Sequence, residues 1–370
     1  MKYYIIAGEA SGDLHGSNLI KQLKIQDKNA DIRCWGGDLM ETAGGTLVKH
    51  YKERAFMGFA EVIKNLSTIL GFIKFCKKDI LEFNPDKLIF IDNSGFNLRI
   101  AKWAKAENFN TIYYISPQVW ASRSGRVKAI KRDIDEMYVI LPFVKDFYKK
   151  FNYEVNFVGH PLLDAISNRV QISENDFRTK HNLSNKPIIA LLPGSRKQEI
   201  TKLLSVMLKM PAKFNNFQFV IAGAPSQDYE FYKQFITSEN VQFVSNKTYD
   251  LLSISYAAIV TSGTATLETA LFKVPEIVCY KTSWLSYQIG KRLINLKFIS
   301  LVNLIMDKEV VKELIQDDLT EESLTVELQK IIEGKDRDQM FLDYFDLEKK
   351  LGGKGASKKT VELILKNAKI

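Results

Sequence analysis

Asp92 stands directly after the apolar run 87–91 (KLIFI), and Arg196 closes the turn PGSR that follows the run 188–192 (IIALL). A carboxylate at a strand end is placed to take a proton from a substrate hydroxyl, and it is equally an ordinary turn residue. The arginine offers a planar, permanently charged fork suited to phosphate oxygens. The helix that begins beside it adds unpaired amides and the positive end of a dipole. The other reading of Arg196 is a surface ion pair with Glu199, three residues on. A second turn, TSGTATLE, repeats the anion-friendly chemistry: Ser262, Gly263 and Thr264 offer amides and hydroxyls, and Glu268 can accept from two ribose hydroxyls. Its plain alternative is a capped helix. With Gly194 and Ser195 in the first turn, two such turns in one half of the chain point to a nucleoside-diphosphate site. GxxxxGK[ST] occurs nowhere, and neither GxGxxG nor its acidic partner follows the first strand, which argues against a Walker-type NTPase and a dinucleotide fold. No DxD-type acidic pair stands at either turn, so no metal is expected there.

Four further segments invite scrutiny. GEASGDLHG follows the first apolar run, with Gly8, Glu9, Ser11, Gly12 and Asp13 in a strand-to-helix turn. It suits either close backbone approach to a ligand or tight helix–sheet packing with Ser11 or Asp13 as a cap. His160 in FVGHPLLD is either catalytic or a satisfied structural imidazole. Arg123, Arg126, Lys128, Lys131 and Arg132 form a basic segment with Trp120 at its head, either a phosphate or lipid contact or a solvated helix face. In 56–83 a 3–4 spaced stripe (Val62, Leu66, Ile69, Ile73, Cys76, Ile80) reads as core. Phe56, Met57, Phe59, Phe72 and Phe75 widen it, and lysines flank it, as in a segment that dips into a membrane or admits an acyl chain.

These turns need scaffolds. Apolar runs at 3–7, 87–91, 111–115, 137–141 and 155–159, and again at 188–192, 217–223, 241–244, 257–261 and 275–280, alternate with helical patterns. Helices are expected near 14–27, 96–107 and 122–132. Near-continuous apolar strands separated by helices imply parallel sheets covered on both faces. The 370 residues suit two domains. The expected architecture is α/β: two doubly wound Rossmann-like domains facing a cleft, residues 1–167 and 168–350, with 168–187 as linker. After Gly352-Gly353, residues 351–370 resume as a helix near 357–368 that crosses back to the first domain. Three dispersed cysteines form no metal or disulfide pattern and suit a reducing cytoplasm. The first apolar run is too short for a signal peptide, and no run approaches the ~20 residues that span a bilayer. A net charge of +9 favours anionic partners. The basic residues are not interleaved with a nucleic-acid recognition motif, so no nucleic-acid partner is expected.

The ordered set AGEASGDLHG, FMGFAEVI, IDNSGFNLRIAK, YYISPQVWASRSGRVKAIK, LPF…FY, FVGHPLLD, ALLPGSRKQEI, TSGTATLETAL, VPEIVCYK and SLVNLI…VVKELIQ resembles the lipid-A-disaccharide synthases, inverting GT-B glycosyltransferases of lipid A biosynthesis. The resemblance implies transfer of 2,3-diacylglucosamine from UDP-2,3-diacylglucosamine to the 6-hydroxyl of 2,3-diacylglucosamine 1-phosphate, giving a β-1,6-linked disaccharide 1-phosphate and UDP, with no cofactor. It puts Asp92 at the family's essential aspartate and Arg196 at its essential arginine. Gly194, Ser195, Ser262, Gly263, Thr264 and Glu268 fall to UDP, as do Asn303, Glu313 and Gln316. The last three lie in a segment that resembles one exchanged between the subunits of a homodimer. The glycine-rich turn falls to the acceptor. The apolar 56–83 segment, Arg123 and Arg126 fall to acyl chains and the inner membrane surface of a Gram-negative bacterium, with the enzyme on the cytoplasmic side. Three positions depart from the family pattern: Gly95 where a second aspartate is frequent, Ser122 where an aromatic is usual, and Lys308 for an arginine.

Overall fold

The computed structural model describes residues 1–54, 66–122, 124–284, 287–288, 292 and 296–367. The chain divides into two compact units, one made of Met1–Asn168 with Leu351–Ile370, the other of Arg169–Lys350. Each is built on one parallel sheet. The first holds β1 (Lys2–Ala7), β2 (Asp31–Gly36), β3 (Thr46–His50), β4 (Lys87–Ile91), β5 (Thr111–Tyr114), β6 (Glu136–Val139) and β7 (Asn156–Phe157) in the order β3-β2-β1-β4-β5-β6-β7. The second holds β8 (Ile188–Leu192), β9 (Gln218–Gly223), β10 (Val241–Ser245), β11 (Ser255–Thr261), β12 (Glu276–Tyr280) and β13 (Lys312–Ile315) in the order β10-β9-β8-β11-β12-β13. β4, β8 and β9 are buried along their whole length. That follows from their sequences: without a polar alternate face, a strand is stable only with helices on both sides.

In both sheets the chain works outward from its first strand, then returns and works the other way. The reversal falls between β1 and β4 in one unit and between β8 and β11 in the other. Beyond the carboxyl ends of such a strand pair the flanking loops part and leave room for a ligand. The turns that carry Glu9, Asp92, Arg196 and Ser262 leave these four strands.

β2, β3 and β13 have no counterpart among the apolar runs. β3 and β13 are edge strands, TLVKH and KELI, whose polar residues mask the pattern. β7 is shorter than the run 155–159 because it pairs on one side only, through Tyr138↔Asn156 and Val139↔Phe157. The expected linker contains a helix, Glu174–Lys180, capped by the Ser173 hydroxyl. The single helix expected near 122–132 is instead a short helix at Val119–Ser122, a 3-10 turn at Ser124–Arg126 and a helix at Val127–Asp133.

The C-terminal helix, Ala356–Asn367, packs Val361 and Ile364 into the core of the first unit beside Leu19, Ile20 and Leu23. Asp164 holds its start, accepting from the Gly355 amide at 2.6 Å and the Ser357 amide at 3.2 Å. Satisfying those end amides and burying an apolar face fix the tail on the first unit.

Candidate functional site

In the first unit the site begins where β1 and β4 end. Asp92 and Asn93 both take left-handed backbone, each with φ 43°. Such a conformation costs a non-glycine residue roughly 1–3 kcal/mol and persists only where its surroundings enforce it. The enforcement is visible. The Asp92 carbonyl accepts from Asn97 Nδ2 at 2.9 Å and from the Tyr113 hydroxyl. Asn97, fully buried, also donates to the Ile91 carbonyl at 3.1 Å. Across the turn, a Cβ on Gly8 would sit 1.9 Å from Asn93 Nδ2, so only glycine allows this approach.

With its backbone pinned, the Asp92 side chain is half-buried beside Glu9. Burial, and then the Glu9 charge, push its pKa up to about 6, against an opposing hydrogen bond from the Asn93 amide. A carboxylate so placed is still ionised at neutral pH but binds a proton more tightly than an ordinary one, which is what a general base needs. Gly12 is buried, and Glu9 and Ser11 are exposed. Asp13 does not cap its own helix, Ala10–Gln26. Its buried carboxylate accepts from the amides of Gly37, Leu39 and Met40 at 2.8, 3.2 and 3.0 Å and so anchors the helix Asp38–Thr42. His160 is structural as well: Nδ1 accepts from the Leu162 amide at 3.3 Å, and burial lowers its pKa to about 3.

In the second unit, β8 ends at Pro193, and Gly194 (φ 99°), Ser195 and Arg196 lead into the helix Lys197–Met207. Arg196 is exposed, gives its helix no side-chain cap and makes no ion pair among the described residues. Glu199 does not take it. It folds back over Gly194, where an added Cβ would meet Oε2 at 2.4 Å, while Oε1 lies 3.4 Å from Thr261 Oγ1. The surface ion pair is therefore not made, and the guanidinium stays available.

β11 runs out through Ser262 and Gly263 into the helix Thr264–Leu271. Gly263 has φ 148° and ψ −158°, a region only glycine occupies readily, and a Cβ there would meet nothing within 4 Å. The helix has no side-chain cap, so its first amides are open to an anion. Thr264 is exposed. The Ser262 hydroxyl, by contrast, donates to the Ile299 carbonyl at 2.9 Å and fixes the turn. Glu268, on the same helix, accepts from the Tyr249 hydroxyl at 2.8 Å. Burial raises its pKa and that hydrogen bond opposes the shift.

Asn303, Glu313 and Gln316 act one step further back. Asn303 is fully buried and its amide is saturated: Nδ2 donates to the Val311 carbonyl (2.8 Å) and to Glu313 (2.9 Å), and Oδ1 accepts from the amides of Val310 and Val311. Glu313 also accepts from the Ile299 and Ser300 amides, and Gln316 accepts from the Thr282 amide. Asn303 and Glu313 shape the segment whose Ile299 carbonyl holds Ser262, and Gln316 ties the chain at Thr282 to the end of β13. Lys308 pairs with Asp343 at 2.6 Å.

Of the apolar and basic candidates, Phe56, Met57, Phe59 and Arg123 lie outside the described residues. Phe72 and Phe75 both lean on Trp35, at 6.3 and 6.0 Å between ring centroids. Phe75 remains 43% exposed, with Leu70 and Leu81 at 55% and 52% on the same helix, Leu66–Phe83. Arg126 is exposed. Among the described residues no helix is long and apolar enough to cross a membrane, and no cluster of His, Cys, Asp and Glu could hold a metal. Tyr249 had no warning in the sequence: it sits in a short helix, Thr248–Leu252, that carries no motif.

The chain matches the family model of lipid-A-disaccharide synthetase over residues 3–366. It belongs to that family. It is 39% identical over 369 residues to the lipid-A-disaccharide synthase of Syntrophus aciditrophicus, covering 98% of this chain and 96% of that one. It is 37% identical over 333 residues to that of Coxiella burnetii, covering 89% and 88%. Solved structures share the fold at low identity. A UDP-GlcNAc 2-epimerase from Neisseria meningitidis, bound to UDP-GlcNAc, matches with a TM-score of 0.72 and 13% identity over 99% of this chain and 100% of that chain. The glycosyltransferase of kitacinnamycin matches with a TM-score of 0.66 and 11% identity over 99% and 98%. The architecture of this lipid-A-disaccharide synthetase family member is thus that of the GT-B glycosyltransferases and epimerases, as its turns imply.

Proposed function

We propose that this chain performs its family's reaction with Asp92 as general base and with Arg196 and two helix N-termini as the grip on the leaving diphosphate. The enzyme is a lipid-A-disaccharide synthase. It transfers 2,3-diacylglucosamine from UDP-2,3-diacylglucosamine to 2,3-diacylglucosamine 1-phosphate and releases UDP. The observation that carries the assignment of roles is the opposite charge of the two switch points: a half-buried, proton-accepting carboxyl at the end of β4, and uncapped helix starts at the ends of β8 and β11 with a free guanidinium beside the first.

In this reading Asp92 takes the proton of the acceptor's 6-hydroxyl as that oxygen attacks the anomeric carbon. The glycine-rich turn at Gly8 and Glu9 borders the acceptor. Attack opposite the leaving group inverts the centre and gives the β-1,6 linkage. The amides at Gly194, Ser195, Gly263 and Thr264, with Arg196, absorb the charge that grows on the diphosphate. Glu268 accepts from the ribose. Because protein groups supply the positive charge, turnover persists in excess EDTA.

Two features complete the proposal. Peripheral contact with the cytoplasmic face of the inner membrane is supported by exposed Leu70, Phe75 and Leu81 beside Lys74 and Lys78. A homodimer with exchanged C-terminal segments is the family expectation. In the single chain β13 pairs with its own β12, so exchange would require that pairing to open or to be made between copies. The deciding experiment is incubation with acylated UDP-glucosamine and the acylated monosaccharide 1-phosphate, with product read by mass spectrometry. The disaccharide 1-phosphate is expected, and conversion of the sugar nucleotide to its 2-epimer without acceptor would instead mark epimerase-type chemistry.

A further inference from the structure

We infer that Tyr249 is a positioning residue that aims Glu268 at the ribose of the sugar nucleotide, a role that rests on the UDP-site reading above. Glu268 lies on the helix that begins at the Gly263 phosphate turn, so its backbone is fixed relative to the diphosphate. Its side chain has freedom to swing. The Tyr249 hydroxyl removes that freedom by donating to Oε1 at 2.8 Å. A phenol has a single proton to give, and burial keeps Tyr249 in its protonated, donating form. With one oxygen anchored, Oε2 and the remaining lone pair of Oε1 are left to accept from neighbouring hydroxyls, which is what a ribose diol presents.

Tyr249 is itself braced on two sides. Its ring packs against Phe272 at 5.4 Å between centroids. The Arg169 guanidinium covers Phe272, 4.9 Å from the ring centroid. Arg169 also pairs at 3.5 Å with Asp250, the next residue along the Tyr249 helix. Ring and backbone are therefore held together. The hydroxyl arrives at Glu268 from a different element than the phosphate turn, so it can tune ribose selection without altering the diphosphate grip.

The test is a set of affinities for UDP, 2′-deoxy-UDP and inorganic pyrophosphate, measured by titration calorimetry on the full chain, Tyr249→Phe and Glu268→Gln. The full chain should prefer UDP over 2′-deoxy-UDP by about tenfold, the scale of one hydrogen bond to a charged group. Tyr249→Phe should lose most of that preference while pyrophosphate binds as before. Glu268→Gln should lose it as well. If Glu268→Gln keeps the preference, Glu268 is not on the ribose, and the site reading fails together with this inference. If Glu268→Gln loses it and Tyr249→Phe keeps it, the positioning role alone is overturned. A parallel fall in pyrophosphate affinity for Tyr249→Phe also overturns it, because Tyr249 would then support the whole turn and not Glu268.

Discussion

In the first unit the strands that flank the switch point, β1 and β4, run out into Glu9 and Asp92. In the second, β8 and β11 run out into Arg196 and the open glycine turn at Gly263. The two sheets share a strand order up to the last strand, so these four turns occupy equivalent places. Their electrostatics are opposite. One place concentrates carboxylates and pushes an aspartate toward neutrality; the other leaves amides and a guanidinium uncompensated. Topology thus supplies the address, and the few residues past each strand end decide what chemistry happens there.

The comparison is broken most completely at Asp92. Asp92→Asn should cut turnover by about 10²–10⁴-fold, the usual worth of a general base, with UDP affinity nearly intact. It should also stabilise the first unit. A carboxyl whose pKa rises from 3.8 to about 6 on folding favours the fold below that range and costs stability as pH climbs through it. Removing the charge should recover about 1–3 kcal/mol at pH 7, read by thermal denaturation. An active, unaltered variant would return Asp92 to the role of a turn residue. Arg196→Ala is the matching cut in the second unit. It should lower kcat/KM by roughly 10–100-fold and weaken UDP binding, with Arg196→Lys intermediate because it keeps charge without the fork. An unchanged rate would leave the backbone amides as the whole anion site.

Two smaller changes sharpen the contrast within the first unit. Gly8→Ala places a methyl within 1.9 Å of Asn93 Nδ2, so Asn93 must move and Asp92 moves with it. Turnover should fall, and pairing the change with Asn93→Ala should recover part of the loss; a Gly8→Ala enzyme of full activity would show that the close approach is not required. Glu9→Gln removes the second cause of the raised Asp92 pKa. The acid limb of kcat/KM, expected near pH 6, should then move to lower pH. A limb that stays in place would mean that burial alone sets it.

Much of this was legible in the sequence because the runs that end at the site are uninterrupted apolar strands, and the turns after them carry glycine, charge and hydroxyl at short spacing. Asp92, Arg196 and Gly263 stand where those patterns put them. What was not legible depends on contacts between distant segments. Asp13 looked like a helix cap, but its carboxylate is spent on amides of residues 37–40, which lie on an element the apolar pattern did not reveal. Asn303 carries a polar side chain in an apolar stretch, and only the return of Val310, Val311 and Glu313 shows that its amide is already saturated. Tyr249 meets Glu268 from a separate helix, and no spacing along the chain encodes that meeting. The edge strands β3 and β13 were lost for a local reason: half-solvated strands mix polar residues into their runs.

Glu276 separates the chemistry of place from burial alone. It opens β12 at the amino end of the strand, away from the turns, and is completely buried with neither carboxyl oxygen hydrogen-bonded to a described residue. Burial drives its pKa well above the usual value, as it does in part for Asp92, yet Glu276 lies at the opposite end of the strands from the turns that carry Asp92 and Arg196. The carboxyl is therefore a stability liability, and its distance from the turns predicts no part in catalysis. Burial favours its protonated form in the fold, so its contribution is whole below the ordinary carboxylate range and is lost as pH rises above it. Glu276→Met should leave kcat/KM unchanged and raise the melting temperature at pH 8, by roughly 2–4 °C for each of about 1–3 kcal/mol recovered. The gain should shrink toward pH 4, where the wild-type carboxyl is mostly neutral in both states. A gain that does not depend on pH would mean that packing, and not ionisation, is what the methionine improves. A loss of activity would mean that the amino end of β12 is coupled to the site, and that the division between the two ends of the sheet is not as sharp as the strand order makes it.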